Sequence, residues 1–296
     1  LGAVNYCGSF EEECAILIRE ITETKKRRAV MFSVYHLVWL IICAVVVALG
    51  VIAMKKRRPT LRQILNIACV GSVISEVIKT FSMLQVVPSA DGSTMHLYLE
   101  MQHLPLHLCS VQILFIFYTR FARDGKVKDA LLAFMYPTCI VGALLATLMP
   151  TIFSEAIDVS QAFTHPLAYQ YFLFHTMLIL LGIYLAMSEE VKIRGAHYFS
   201  SLAILGGCGF VSLYLNSIFA QPTYVNGELV SVEYVTNFFF TQKFPITLVF
   251  TEKWQWCVYY LVLVLLVALV FAVFYFPFYQ KERATETDDK NAAVHG

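Results

Sequence analysis

The sequence predicts an all-α, polytopic membrane protein with seven transmembrane helices. Three observations carry that expectation. Of 296 residues, 58% are hydrophobic and only 15% charged, too little charged surface to coat a soluble globule. Five segments hold no Asp, Glu, Lys or Arg over more than the roughly 20 residues needed to cross a bilayer. Two further apolar stretches carry a few ionisable groups, and short polar joints separate all seven.

Residues 1–28 precede the spans and lack the short apolar core and cleavage pattern of a signal peptide. Glu11, Glu12 and Glu13, then Ile16, Leu17, Ile18 and Ile21, then Lys25 to Arg28, read as an amphipathic helix on the membrane surface, with a solvated tether as the alternative. The first span is Ala29–Met54, closed by a basic joint. Leu61–Val87 follows, with Glu76 and Lys79 one helical turn apart and able to neutralise each other. The third, Leu97–Tyr118, holds the densest polar run. Pro137 is expected to kink the fourth, Ala130–Ser154. The fifth, Val159–Ser188, carries His175. In the sixth, Gly195–Gly227, Gly206, Gly207 and Gly209 are expected to admit a neighbouring helix closely, and Asn216 lies near the outer end. Trp254 and Trp256 open the seventh, Trp254–Gln280, where an aromatic belt forms. Residues 29–280 thus form one membrane domain, and 281–296 a polar cytoplasmic tail.

Several function classes drop out. A net charge of +1 without a basic patch gives no basis for nucleic-acid binding. Six of the eight cysteines lie within or at the edge of spans and none forms a CxxC pair, which argues against a cysteine metal site. Cys7 and Cys14 are either a disulfide or free thiols. The seventh span has no Lys for a retinal Schiff base.

With alternating spans, one side collects fourteen Lys and Arg and the other seven. The positive-inside rule then places the C-terminus in the cytoplasm and the N-terminus outside, in the plasma membrane, although the basic run at 25–28 runs against it. Under this topology His36, Glu76, Lys79, His103, His107, His175 and Asn216 all fall in the outer halves of their spans. Ionisable groups in hydrocarbon face protein or water, so a polar cavity opening outward is expected. If residues 100–112 are one helix, Glu100, His103 and His107 share a face and Cys109 lies about 160° from His107. A Cys109–His107 pair then needs Pro105 to distort the turn, and otherwise a base for Cys109 comes from another helix, with His175 the candidate. His103 and His107 at i, i+4 could also ligate a metal with Glu100 or His175, but Leu104 stands where the zinc signature has Glu, so no metal and no cofactor are expected. Histidines that pin helix packing are the structural alternative.

Several motifs together resemble the YwaF-like family of integral membrane proteins: Leu104-Pro105-Leu106-His107-Leu108-Cys109; Phe172-Leu173-Phe174-His175; Asn216 followed by Val235-Thr236-Asn237-Phe238 and Pro245; and the aromatic runs Trp254–Tyr260 and Tyr275–Phe278. The resemblance covers about residues 30–280, with Phe238 in place of a usual Tyr. Many bacterial members have no assigned activity, whereas a distantly similar animal branch looks like acyltransferases that acylate lyso-ether phospholipids through cysteine and histidine. That branch places its cysteine directly before the histidine, where this chain has Leu106. The resemblance therefore carries over His107 and His175, with Cys109 as a substitute nucleophile if the helix is distorted.

The leading expectation is a lipid acyltransferase or lipid-ester hydrolase. His107 or His175 would be the base and Cys109 the nucleophile, with His103, Gln102, Gln112, Glu76, Lys79, Asn216 and Asn237 contacting a phospholipid or lysophospholipid. Membrane lipids are the expected partners. A small-solute transporter or a ligand-binding receptor is the alternative, and a noncatalytic scaffold a third.

Overall fold

The computed structural model describes residues 32–89, 91–225, 227–242 and 252–295, without the side chains of 154, 155, 286 and 288–295. The N-terminal segment, the Cys7 and Cys14 pair, Lys243 and Pro245 lie outside the described residues. Among the described residues seven helices of fourteen residues or more follow one another: α1 (Val34–Arg57), α2 (Leu61–Met83), α3 (Leu108–Phe121), α4 (Lys126–Leu148), α5 (Pro166–Met187), α6 (His197–Ile218) and α7 (Lys253–His295). Six are long and apolar enough to cross a membrane, and α3 is the short one. The chain is an all-α, polytopic membrane protein with two small antiparallel hairpins, β1 (Gln85–Pro88) with β2 (Met95–Tyr98) and β3 (Gln221–Val225) with β4 (Glu228–Glu233).

Local chemistry sets the helix ends. Arg58 closes α1 in the left-handed conformation at φ 44°, and Pro59 cannot continue the helix. Thr60 then opens α2 with a capping box, its Oγ1 accepting from Gln63 N while Gln63 Oε1 accepts from Thr60 N. Three residues thereby reverse the chain. His165 Nδ1 accepts from Leu167 N, and Pro166 takes the first position of α5, where its missing N–H costs nothing.

Helices α2, α3, α4 and α5 close into a ring, each packed on the next and α5 on α2. Leu65, Ala68, Ile116, Met135, Cys139, Ala143, Leu178 and Leu181 share its apolar core. Gly182 lets α5 approach α4, since a Cβ there would stand 2.6 Å from Ile140 Cγ1 and 2.9 Å from the Tyr136 carbonyl oxygen. Outside the ring, α1 lies on α5, α6 on α4, and α7 on α6. Trp39 of α1 stacks on Phe172 and donates its indole N–H to the Ala162 carbonyl. Gly206, Gly207 and Gly209 depart from expectation: among the described residues a Cβ at any of them meets nothing within 4 Å.

Pro137 inside α4 has a visible consequence. It lacks the N–H that would bond the carbonyl four residues earlier, that of Ala133. Tyr275 of α7 donates its hydroxyl to that oxygen at 2.7 Å and accepts from Ser201 of α6 at 2.7 Å. The proline thus creates the socket by which α7 and α6 are fastened to α4.

Both hairpins lie at the same end of the bundle as the N-terminus of α3. The opposite end gathers Lys55, Lys56, Arg57, Arg58, Arg120 and Arg123, tied by Tyr184 donating to the Pro59 carbonyl and by Arg120 bonded to Asn66. At the tip of the first hairpin, Gly92 has φ 70°, and Asp91 accepts from Ser89, Ser93 N and Ser93 Oγ. These bonds hold its carboxyl down to about 2.

Candidate functional site

The third span does not form as one helix. Leu104, immediately before Pro105, is extended at ψ 146°, as a residue preceding proline prefers. His107 is extended too, at ψ 154°, and α3 starts only at Leu108. Upstream, Met95–Tyr98 is strand β2 and Met101–His103 a single 3-10 turn. Fourteen helical residues rise about 21 Å, short of the roughly 30 Å of a hydrocarbon core, so a crossing at this span would draw the backbone before Leu108, which is not α-helical, toward membrane depth. Such backbone is tolerated where protein or a wet cavity covers it.

This break corrects the helical-wheel expectation for residues 100–112. His103 and His107 do not share a helix face, and the i, i+4 metal pair does not exist. Among the described residues no three His, Cys, Asp or Glu side chains stand together as a metal site. Instead His107 is the N-cap of α3 and makes no side-chain capping bond. Its Nε2–H donates to the Gln102 carbonyl at 3.2 Å, which leaves Nδ1 with the lone pair. The ring meets the edge of Phe238, centroids 5.0 Å apart. Cys109 is the second residue of α3. The N–H groups of Leu108, Cys109 and Ser110 precede the first intrahelical bond, Val111 N to His107 O, and find no other partner among the described residues.

A family model, the TMEM164 family, matches residues 31–275. The chain belongs to the TMEM164 family. No curated protein and no solved structure matches it. Membership carries the membrane architecture over all seven helices up to the first half of α7, and it names no substrate.

The other expected residues of this TMEM164-family chain are placed as follows. Glu76 and Lys79 form an ion pair at 2.6 Å. Lys79 lies within electrostatic reach of both His103 and His107. Glu100 collects His103 at 3.8 Å, Gln102 Nε2 at 2.6 Å and Gln85 Nε2 at 3.2 Å. The polar groups at the hairpin end therefore engage one another. Two open grooves among the described residues, of about 410 and 430 Å³, lie elsewhere, on the apolar seams between α4 and α6 and between α2 and α5.

Gln112 is fully buried and works as a strut: Nε2 donates to Thr138 Oγ1 at 3.0 Å, and Oε1 accepts from Cys139 Sγ at 3.6 Å. Asn237 Oδ1 accepts from Gln242 N at 2.9 Å. His36 joins α1 to α4 through the Thr147 carbonyl at 2.8 Å. His175 Nδ1–H donates to the Tyr171 carbonyl at 2.6 Å, so Nε2 carries its lone pair. In depth His175 matches Cys109. Tyr171 donates to the Ala146 carbonyl and Gly182 abuts Ile140, which puts His175 opposite about Ala143, while Cys109 Sγ lies 3.9 Å from a Cβ built on Gly142. Yet Cys109 makes no hydrogen bond to either histidine among the described residues.

Two facts carried no sequence signal. Phe238, quoted above only within a motif, is completely buried and packs against His107, and Ser72 Oγ is completely buried on α2 without a hydrogen-bond partner among the described residues. An aromatic run and a serine in an apolar span carry no local signal for either fact.

Proposed function

We propose that this chain moves or hydrolyses acyl groups of phospholipids or lysophospholipids at the break in its third span. The reading rests on one observation: Cys109 stands in the first turn of α3 beside three N–H groups that have no partner among the described residues, two residues after a histidine whose Nδ1 has none there either. Donors aimed at developing negative charge are the largest single aid to acyl transfer. In the reaction, Nδ1 of His107 takes the thiol proton as Sγ attacks the ester carbonyl. Charge on the carbonyl oxygen develops toward the N–H groups of Leu108, Cys109 and Ser110. Collapse breaks the ester C–O bond, and the imidazolium returns the proton to the departing oxygen. A lysolipid hydroxyl then takes the acyl group from sulfur, or water does, which separates transferase from hydrolase. The motif resemblance supports the same reading. His175, level with Cys109 and presenting Nε2, is the second candidate base.

The test is lipid analysis and intact-protein mass spectrometry after incubation with mixed phospholipids. Cys109→Ala should remove the thioester mass, and His107→Ala should lower turnover by about 100- to 10,000-fold, the range of general-base catalysis. His175→Ala measured alongside assigns the base. Unchanged lipid in the wild-type protein sinks the proposal. It would move weight to solute transport, which the interrupted span also favours, although among the described residues only one span is broken where carriers pair two.

A further inference from the structure

The segment after β4 returns across the hairpin end of the bundle, and its hydrogen bonding is unusually complete. Asn216 of α6, fully buried, spends all four capacities of its amide on it. Nδ2 donates to the Phe238 carbonyl at 3.1 Å and to Thr241 Oγ1 at 2.7 Å; Oδ1 accepts from Thr236 Oγ1 at 2.8 Å and from Phe238 N at 3.0 Å. An amide so engaged has nothing left for a substrate. From α7, Tyr259 donates to the Phe240 carbonyl at 2.7 Å and Tyr260 to that of Thr241. Phe239 and Phe240 are both left-handed, at φ 56° and 55°, a conformation that aromatic residues rarely adopt and that persists only where the surroundings over-determine it. The product of this effort is one side chain in one place. Phe238, completely buried and backed by Phe219, sets its ring edge-on to His107 at 5.0 Å and 73°.

Among the described residues the imidazole of His107 has one hydrogen bond, to the Gln102 carbonyl, and a ring held at a single nitrogen can swing about it. His107 is exposed, and Phe238 stands against its ring, centroids 5.0 Å apart. We infer that residues 236–242 are a clamp for the His107 imidazole, in which Phe238 is the contact and Asn216 a positioning residue that acts through it. The catalytic meaning of the clamp rests on the proposed role of His107 as base. The clamp itself does not.

Its test uses the full chain in lipid nanodiscs and diethyl pyrocarbonate, which modifies unprotonated imidazole nitrogen, with modification of each histidine followed by peptide mass spectrometry. Phe238→Ala and Asn216→Ala should each accelerate modification of His107 by about 2- to 10-fold, the range that an edge-on aromatic contact is worth. Phe238→Tyr, which keeps the ring edge, should restore the wild-type rate. His96, exposed on the first hairpin, should be unaffected throughout. Should Asn216→Ala fail to fold, Thr241→Val removes one of the same bonds and is expected to act in the same direction. A wild-type His107 rate in Phe238→Ala overturns the clamp, and acceleration in Phe238→Ala but in neither Asn216→Ala nor Thr241→Val overturns the role of Asn216. Acceleration in all three, with no lipid turnover in any protein, upholds the clamp and removes the acyl chemistry.

Discussion

Cys109 owes its candidacy to two residues of backbone. Were the helix continuous from residue 100, the N–H groups of Leu108, Cys109 and Ser110 would be committed to carbonyls one turn earlier, and His107 would point to another face. Because α3 starts at Leu108, the donors are open and the histidine is its cap. Asn216 teaches the reverse lesson: a polar residue near the outer end of a span reads as a ligand-binding group, yet its amide is saturated by its own chain. Ser72 sits between these cases. Its buried hydroxyl has no partner among the described residues, and such a group costs about 1–3 kcal/mol. Ser72→Ala is therefore expected to raise stability by about 1 kcal/mol, read as a higher Tm in thermal unfolding. A lower Tm would mean that the hydroxyl is engaged in the membrane-embedded protein.

At the scale of elements, prolines decide more than hydropathy does. Pro105 was legible as a possible distortion, but a window of apolar residues reads the same whether the helix starts at residue 97 or 108. Only the pre-proline preference of Leu104, combined with pairing of Met95–Tyr98 to Gln85–Pro88, consumes the start of the span. Pro137 was expected to kink α4; its larger effect is the freed Ala133 carbonyl that Tyr275 fills. Tyr275→Phe should cost about 1–3 kcal/mol by orphaning that oxygen. In a Pro137→Ala background the helix supplies its own N–H, and the same change should cost less. A double-mutant cycle on unfolding temperature measures the difference, and equal losses in both backgrounds would contradict the coupling. The glycines of α6 mark the opposite error. Small residues permit close approach, but only the packing of α6 against α4 and α7 shows which face is used.

Across the whole molecule, the ring of α2 to α5 holds the break in its wall, and the outer helices hold the clamp. Spans two and five meet antiparallel through Gln170 donating to Ser75 at 2.7 Å, with Tyr184 reaching the Pro59 carbonyl about four helical turns further along. All the short basic joints fall at the end away from the hairpins. The positive-inside expectation, applied to the molecule as a unit, would turn the hairpins and the break outward, and labelling tests it. Ser93→Cys in the first hairpin should react with a membrane-impermeant maleimide on intact cells, whereas Arg123→Cys between α3 and α4 should react only after permeabilisation, each measured against the unsubstituted chain. The reverse pattern would invert the protein and place the candidate site on the cytoplasmic side.

Charge-free length and composition alone dictated that this chain lives in a membrane, where the seven long helices among its described residues lie, and which joints are basic, because crossing hydrocarbon imposes the same demand on every span regardless of its neighbours. Which polar residues face one another was decided only in three dimensions. Glu76 and Lys79 found each other locally, one turn apart, and so were legible. Asn216 with Thr236 to Thr241, Phe238 with His107, and Tyr275 with Ala133 are joined across separations of 20 to 142 residues. Hydrogen bonds and ring contacts act over a few ångströms, and only the packing of helices brings such distant groups within that range.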